Sequence, residues 1–162
     1  MINDVKIYYK HGTNKDGIQG IIYDPEKNNN FITDGYSFIR LNNNNIKDYN
    51  RINKIKNIYG TVTKNNIIDS IKKYYDTNSE SDYNIFICNF SDIKPEDLED
   101  FKKDKIYYIK NKDIHVNYNM IKRILKISGC KDGSIFISEK QPYMVNITCK
   151  NSNSYLLGIK TY

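Results

Sequence analysis

The sequence predicts an α+β protein in which two helices pack on antiparallel β-sheets. Strand-like runs follow one another with short turns of Asn, Gly, Asp or Pro between them, which favours antiparallel pairing. Two segments carry apolar residues at helical spacing, and no glycine-rich phosphate loop joins a strand to a helix. A length of 162 residues fits one domain over 1–162, with a first half at 1–112 and a second half at 113–162.

The first part of the chain has strand signals. Residues 5–9 have the apolar content of a short strand. Two apolar runs around a Pro/Asn turn at 24–28 predict a β-hairpin within 18–41. The asparagine tract at 42–45 is typical of a surface loop. Residues 46–58 have isoleucines at irregular spacing, so the pattern assigns no element there.

The two helices are predicted at 65–75 and at 117–128. In the first, Thr63 is a candidate cap ahead of apolar residues that recur on one helical face. In the second, Gly129 follows the last periodic residue, where a helix commonly ends.

The rest of the chain is predicted to be strands and turns. Acidic residues and Pro95 give the span 92–103 mixed turn and helix signals, and 151–154 has the polar composition of a turn. We expect strands at 83–90, 105–110, 134–138, 143–148 and 155–161.

Composition narrows the classes of protein. A net charge of +6 with a pI near 9.0 fits a nucleic-acid partner, but it also fits the lysine excess of an AT-rich genome. Cys88, Cys130 and Cys149 lack C-x-x-C spacing, so we expect reduced thiols rather than a disulfide framework or a metal site. The sequence contains no apolar run long enough to predict a membrane span. We expect a cytoplasmic protein of a bacterium or an infected host cell.

Several short segments resemble the bacterial sliding clamp, the β subunit of DNA polymerase III, in the order that this family has them. The hairpin ending in Thr-Asp-Gly-Tyr within 18–41 is similar to the family's strand ending in A-T-D-G-x-R-L. Residues 60–64 and 114–121 resemble the entries to its two DNA-facing helices, and 141–145 and 155–160 resemble its last strands. The resemblance implies a clamp-like fold and a non-catalytic, cofactor-free protein. The abundance of residues with AT-rich codons (Asn, Ile, Lys and Tyr) adds the expectation that a phage or mobile element encodes it.

The same resemblance implies the partners. Clamps hold the DNA backbone without reading its sequence, and they also bind replication proteins. One clamp-like domain could encircle DNA only as a homo-oligomer. Basic residues lie between the apolar positions of both predicted helices, and the candidate DNA contacts are Lys64, Lys72, Lys73, Lys122, Arg123 and Lys126.

Two alternatives remain open from the sequence. A strand ending in His-Gly-Thr resembles the opening motif of ADP-ribosyltransferases of the diphtheria-toxin type, which use NAD. That resemblance implies a ribose contact at His11 and a nicotinamide site framed by Gly12 and Thr13. It also implies a stacking ring at Tyr36 and a catalytic acid at Glu139. Alternatively, the fifteen tyrosines fit a small phage inhibitor that binds a host-defence or other host protein.

Overall fold

The chain forms an α+β fold built around a seven-stranded antiparallel sheet. The computed structural model describes residues 1–10, 18–77, 80–141 and 143–159. The large sheet has the strand order β1-β2-β3-β10-β9-β8-β4, and a small sheet has the order β5-β6-β7. The strands are β1 Ile22–Asp24, β2 Asn29–Thr33, β3 Ser37–Leu41, β4 Ile85–Asn89, β5 Leu98–Phe101, β6 Asp104–Ile109, β7 Ile114–Asn117, β8 Ser134–Ile137, β9 Met144–Cys149 and β10 Ser152–Leu157.

The described ranges contain four α-helices rather than the two that the sequence predicts. They are α1 Ile2–Lys10, α2 Ile46–Tyr59, α3 Asn65–Thr77 and α4 Tyr118–Ser128. The α+β class and the antiparallel pairing are therefore confirmed, and the number of helices was wrong. Within the described ranges, no helix is long and apolar enough to cross a bilayer.

Both faces of the large sheet are buried at its central strands, and they carry different helices. Neighbouring residues of a strand point to opposite faces. Ile32 and Ile39 are cross-strand partners in the main core, which also contains buried residues of α1, α2 and α4. On the other face, Phe38 stacks on Tyr74 of α3, with ring centroids 4.5 Å apart. The sheet therefore separates α3 from α1, α2 and α4.

The predicted strand at 5–9 is a helix. In α1, Val5, Tyr8 and Tyr9 are buried and share one helical face because they lie three and four residues apart. The Tyr8 hydroxyl lies 3.1 Å from the carbonyl oxygen of Ser37, to which it donates a hydrogen bond. The Tyr9 hydroxyl donates to the carbonyl oxygen of Gly20 over 3.0 Å. Val, Ile and Tyr favour strands, but burial on one side of a helix overrides that preference here.

The unassigned span 46–58 is helix α2. The Asn45 side chain caps it by accepting a hydrogen bond from the Asp48 backbone N–H over 3.0 Å. Ile52 and Ile55 are buried, whereas Ile46 and Ile58 are exposed. The exposed isoleucines obscure the helical period in the sequence.

The other predicted elements are mostly confirmed. Helix α4 begins after its cap Asn117 and ends at Gly129, as predicted. The span 92–103 contains single 3-10 turns and strand β5 rather than an α-helix. The predicted turn at 151–154 was wrong, because β10 already begins at Ser152 and its first residues are buried.

Ser152 and Asn153 at the start of β10 are buried with their side chains bonded to α4 and to β9, whereas the buried Ser154 hydroxyl has no hydrogen-bond partner among the described residues. The Ser152 hydroxyl donates to the Ser128 hydroxyl over 2.6 Å. The Asn146 side chain donates to the Asn153 side chain and, over 3.1 Å, to the carbonyl oxygen of Ser154. Polar groups that form hydrogen bonds can be buried at little cost in free energy. The bonds of Asn146 to β10 also favour the observed register of β9 with β10.

The expectation of three reduced cysteines was wrong. Cys130, after α4, and Cys149, at the end of β9, form a disulfide with Cα atoms 6.6 Å apart, and Cys88 is a free thiol. Disulfides are typical of oxidising compartments. The cysteines therefore no longer argue for the cytoplasmic location that the sequence predicted.

We predict that reducing the disulfide lowers the free energy of unfolding by about 3 kcal/mol, because the bond closes a loop that the unfolded chain would otherwise leave open. Urea denaturation with and without a reductant measures this difference. Alkylation of the unfolded, unreduced protein should label Cys88 alone. Labelling of all three cysteines without reductant would contradict the pairing.

Candidate nucleic-acid interface

Helix α4 presents three cations away from the core. Its buried side, including Ile121, Ile124 and Leu125, belongs to the main core. Lys122 and Lys126 are exposed, and Arg123 is half-buried. Among the described residues, no carboxylate forms an ion pair with any of these three side chains. Their charge is therefore available to an external anion.

The cations near α3 are arranged differently. Lys72 Nζ lies 4.0 Å from Asp24 Oδ1, and the Asp24 side chain is only 8% exposed. Lys73 also has an interaction within the chain, and Lys64 is exposed ahead of the helix. The structure thus brings Lys122, Arg123 and Lys126 together on α4. It places Lys64, Lys72 and Lys73 on or beside a helix that covers the opposite face of the large sheet.

A large cleft lies beside Arg123. It is bounded by the end of β10, the β5–β6 turn, β7 and the first turns of α4, and its volume is about 1360 Å³. Lys102 and Lys103 of the β5–β6 turn line it and are exposed. The β5–β6 turn therefore adds two cations next to the three of α4.

Three successive residues hold the walls of the cleft together. The backbone N–H of Leu157 donates to the carbonyl oxygen of Tyr36 over 3.0 Å, and that of Gly158 donates to Tyr143 over 2.7 Å. The N–H of Ile159 donates to His115 of β7, also over 2.7 Å. A Cβ on Gly158 would lie 2.7 Å from Ile114 Cγ2, so only glycine fits here without displacing a neighbour. The end of β10 thus fixes both tyrosines against β7.

A buried carboxylate fixes the turn that carries Tyr36. Asp34 Oδ1 accepts hydrogen bonds from the backbone N–H groups of Tyr36 and Ser37, each over 2.9 Å, and from the Ser37 hydroxyl over 3.1 Å. Asp34 is fully buried, and burial raises the pKa of its carboxyl above the ordinary value. Within the described part of the chain, its Oδ2 has no hydrogen-bond partner.

A second carboxylate fixes the β5–β6 turn against α4. Asp104 accepts hydrogen bonds from the side-chain amides of Asn117, over 2.9 Å, and Asn119, over 3.3 Å. Asn117 also caps α4 by accepting from the Met120 N–H over 2.9 Å. These bonds hold Lys102 and Lys103 next to the first turn of the helix.

The residues of the NAD alternative do not assemble into a site that the structure describes. His11, Gly12 and Thr13 lie outside the described residues, and the element before them is a helix instead of the expected strand. Glu139 is exposed after β8. It lies at the same end of the sheet as Tyr36, but β3 and β8 are three strand spacings apart, about 14 Å. Tyr36 instead lines the cleft.

Sequence patterns missed the β5–β6 contribution to this interface. Lys102 and Lys103 follow an acidic stretch whose signals resembled a helix start, so they were not candidates. Tyr143 was also missed, because the end of a strand gives no sign of what it faces. The Lys-Lys pair just before the strand predicted at 105–110 was the one available signal.

Comparisons with known proteins identify no relative: no family model matches the chain, and neither a curated protein nor a solved structure does. The resemblance to sliding clamps therefore stays a prediction from the sequence. Across the described ranges, no group of three or more His, Cys, Asp or Glu side chains is placed to hold a metal ion.

We predict that the Asp34 carboxyl makes stability depend on pH. Its pKa in the folded protein lies above the ordinary value of 3.8, so the folded state keeps this proton longer than the unfolded state does. Its contribution is complete below pH 3.8 and is lost as the pH rises through the folded-state pKa. Wild type should therefore lose stability relative to Asp34→Asn as the pH rises from 3.8 through the folded-state pKa, measured by chemical denaturation over a pH series.

Asp34→Ala is the matched variant, because it removes an acceptor from three donors. It should cost about 1–3 kcal/mol at low pH, where the wild-type carboxyl is protonated, and less as the pH rises through the folded-state pKa. A stability difference between wild type and Asp34→Asn that stays constant over this pH range would contradict the assignment.

Proposed function

We propose that this chain is a non-catalytic DNA-binding protein that holds the phosphate backbone through α4 and the β5–β6 turn. The observation that supports it is the set of cations on one helix, Lys122, Arg123 and Lys126, that have no carboxylate partner in the described part of the chain and lie beside Lys102 and Lys103. The proposal reduces the set of DNA contacts that the sequence predicts. It leaves out the residues on the α3 side, where Lys72 forms an ion pair with Asp24.

Such an interface favours binding without sequence readout. Lysine ammonium groups are point charges that suit phosphate oxygens, and phosphate contacts carry no sequence information. Binding releases condensed counterions, so affinity should fall steeply as salt rises. The net charge of +6 adds a favourable long-range attraction to DNA.

The clamp-like role is part of the same proposal. It requires a closed homo-oligomer, because a chain of 162 residues forms about one clamp unit, and it adds replication proteins as partners and a cytoplasmic location. Retention on circular DNA with release from linear ends would distinguish a closed ring from simple backbone binding. The α4 interface would then have to face the lumen.

We predict that Lys122→Glu combined with Lys126→Glu weakens duplex DNA binding about tenfold or more at 50 mM salt. It should also reduce the slope of log affinity against log salt by about 2, one unit for each lost phosphate contact. Fluorescence anisotropy with a labelled duplex of random sequence, titrated at several salt concentrations, measures both quantities.

The matched control is Lys47→Glu combined with Lys54→Glu on α2, which changes the net charge equally at two exposed positions. It should lower affinity much less. Lys64→Glu combined with Lys73→Glu tests the α3 side in the same way. Equal losses in all three double variants would show that only overall charge matters and would overturn the α4 interface.

A further inference from the structure

We propose that the cleft beside α4 binds single-stranded nucleic acid, with bases stacked on Tyr36 and Tyr143 and the backbone held by Arg123. This rests on the proposed function and deepens it: the α4 cations hold the phosphates of either form of DNA, and the cleft adds a site for an unpaired strand. Proteins that bind single strands combine a cationic groove with aromatic rings on which bases stack.

The two tyrosines are exposed where the cleft opens. Tyr36 is 45% exposed and Tyr143 is 66% exposed, and both line the cleft. Their carbonyl oxygens accept hydrogen bonds from the neighbouring N–H groups of Leu157 and Gly158, so one backbone segment holds both residues. Leu157 is itself 39% exposed. Two aromatic side chains and an apolar one are thus partly exposed around a single fixed strand end.

The charge of the cleft fits a polyanion. Three cations line it, Arg123, Lys102 and Lys103, against the carboxylates Asp104 and Asp113. Both carboxylates already accept hydrogen bonds within the protein. Asp104 accepts from two asparagine amides, and Asp113 accepts from the Tyr108 hydroxyl over 2.8 Å. Lys122 and Lys126 extend the positive surface along α4 beyond the cleft.

The size of the cleft favours a strand over a compact ligand. Its volume of about 1360 Å³ exceeds the range of about 300–1,000 Å³ that is usual for small-molecule sites. A duplex keeps its bases stacked in its interior, where the rings could not reach their faces. An unpaired strand offers both base faces and phosphates to the same surface.

The test compares the affinities of the protein for a labelled oligothymidylate of twelve nucleotides and for a labelled duplex with the same number of phosphates. Both are measured by fluorescence anisotropy at one low salt concentration. Tyr36→Ala and Tyr143→Ala should each weaken single-strand binding about fivefold or more and leave duplex binding within twofold. Tyr36→Phe keeps the ring and should bind the strand as wild type does. Tyr23→Ala is the matched control, since Tyr23 is 46% exposed on β1 and does not line the cleft.

Each other outcome overturns a stated part of the account. Wild type that binds duplex but not oligothymidylate, or alanine variants that bind the strand normally, would remove the cleft assignment and leave the proposed function intact. Wild type that binds neither probe would remove both. If Tyr36→Ala fails to fold, the exposed position Tyr143 decides the question. If thymidine monophosphate displaces the labelled oligothymidylate when both are present at the same concentration, the cleft is a site for a free nucleotide instead.

Discussion

The fold depends on strand β10, the last strand in the described part of the chain and the centre of the large sheet. It pairs with β3 on one side and β9 on the other, so it joins the hairpin near the start of the chain to the strands near its end. Residues Ser152–Leu156 are buried on both faces. The segment that leaves β10 then bonds to Tyr36, Tyr143 and His115, so the same strand that closes the sheet also builds the cleft.

A sheet with two buried faces separates the basic residues into two groups. On one face, α3 packs its aromatic side chains on the sheet, and Lys72 is drawn to the buried carboxylate of Asp24. On the other face, α4 buries its apolar side and leaves its cations unpaired among the described residues. A lysine that already forms an ion pair within the protein gains less interaction energy from a phosphate contact, because it must weaken that ion pair. The availability of charge, more than its amount, therefore marks α4 as the interface.

Sequence patterns predicted the elements with a regular period and sharp ends. Helix α4 was predictable because its apolar face repeats cleanly between the cap Asn117 and Gly129. Helix α2 was not, because exposed isoleucines interrupt its period, and the start of β10 was not, because its buried residues are polar. Of the candidate site, the α4 cations were predictable from their spacing. The cleft was not, since it arises where β10, β7 and the β5–β6 turn meet in space.

The most direct test of the account is to map the bound surface by NMR, following backbone amide signals as a short oligonucleotide is added at low salt. We expect shifts confined to the α4 surface around Lys122, Arg123 and Lys126, the β5–β6 turn, and the backbone of Tyr36 and 157–159, while the signals of α3 stay unchanged. Shifts centred on α3, or spread evenly over the exposed lysines, would contradict it.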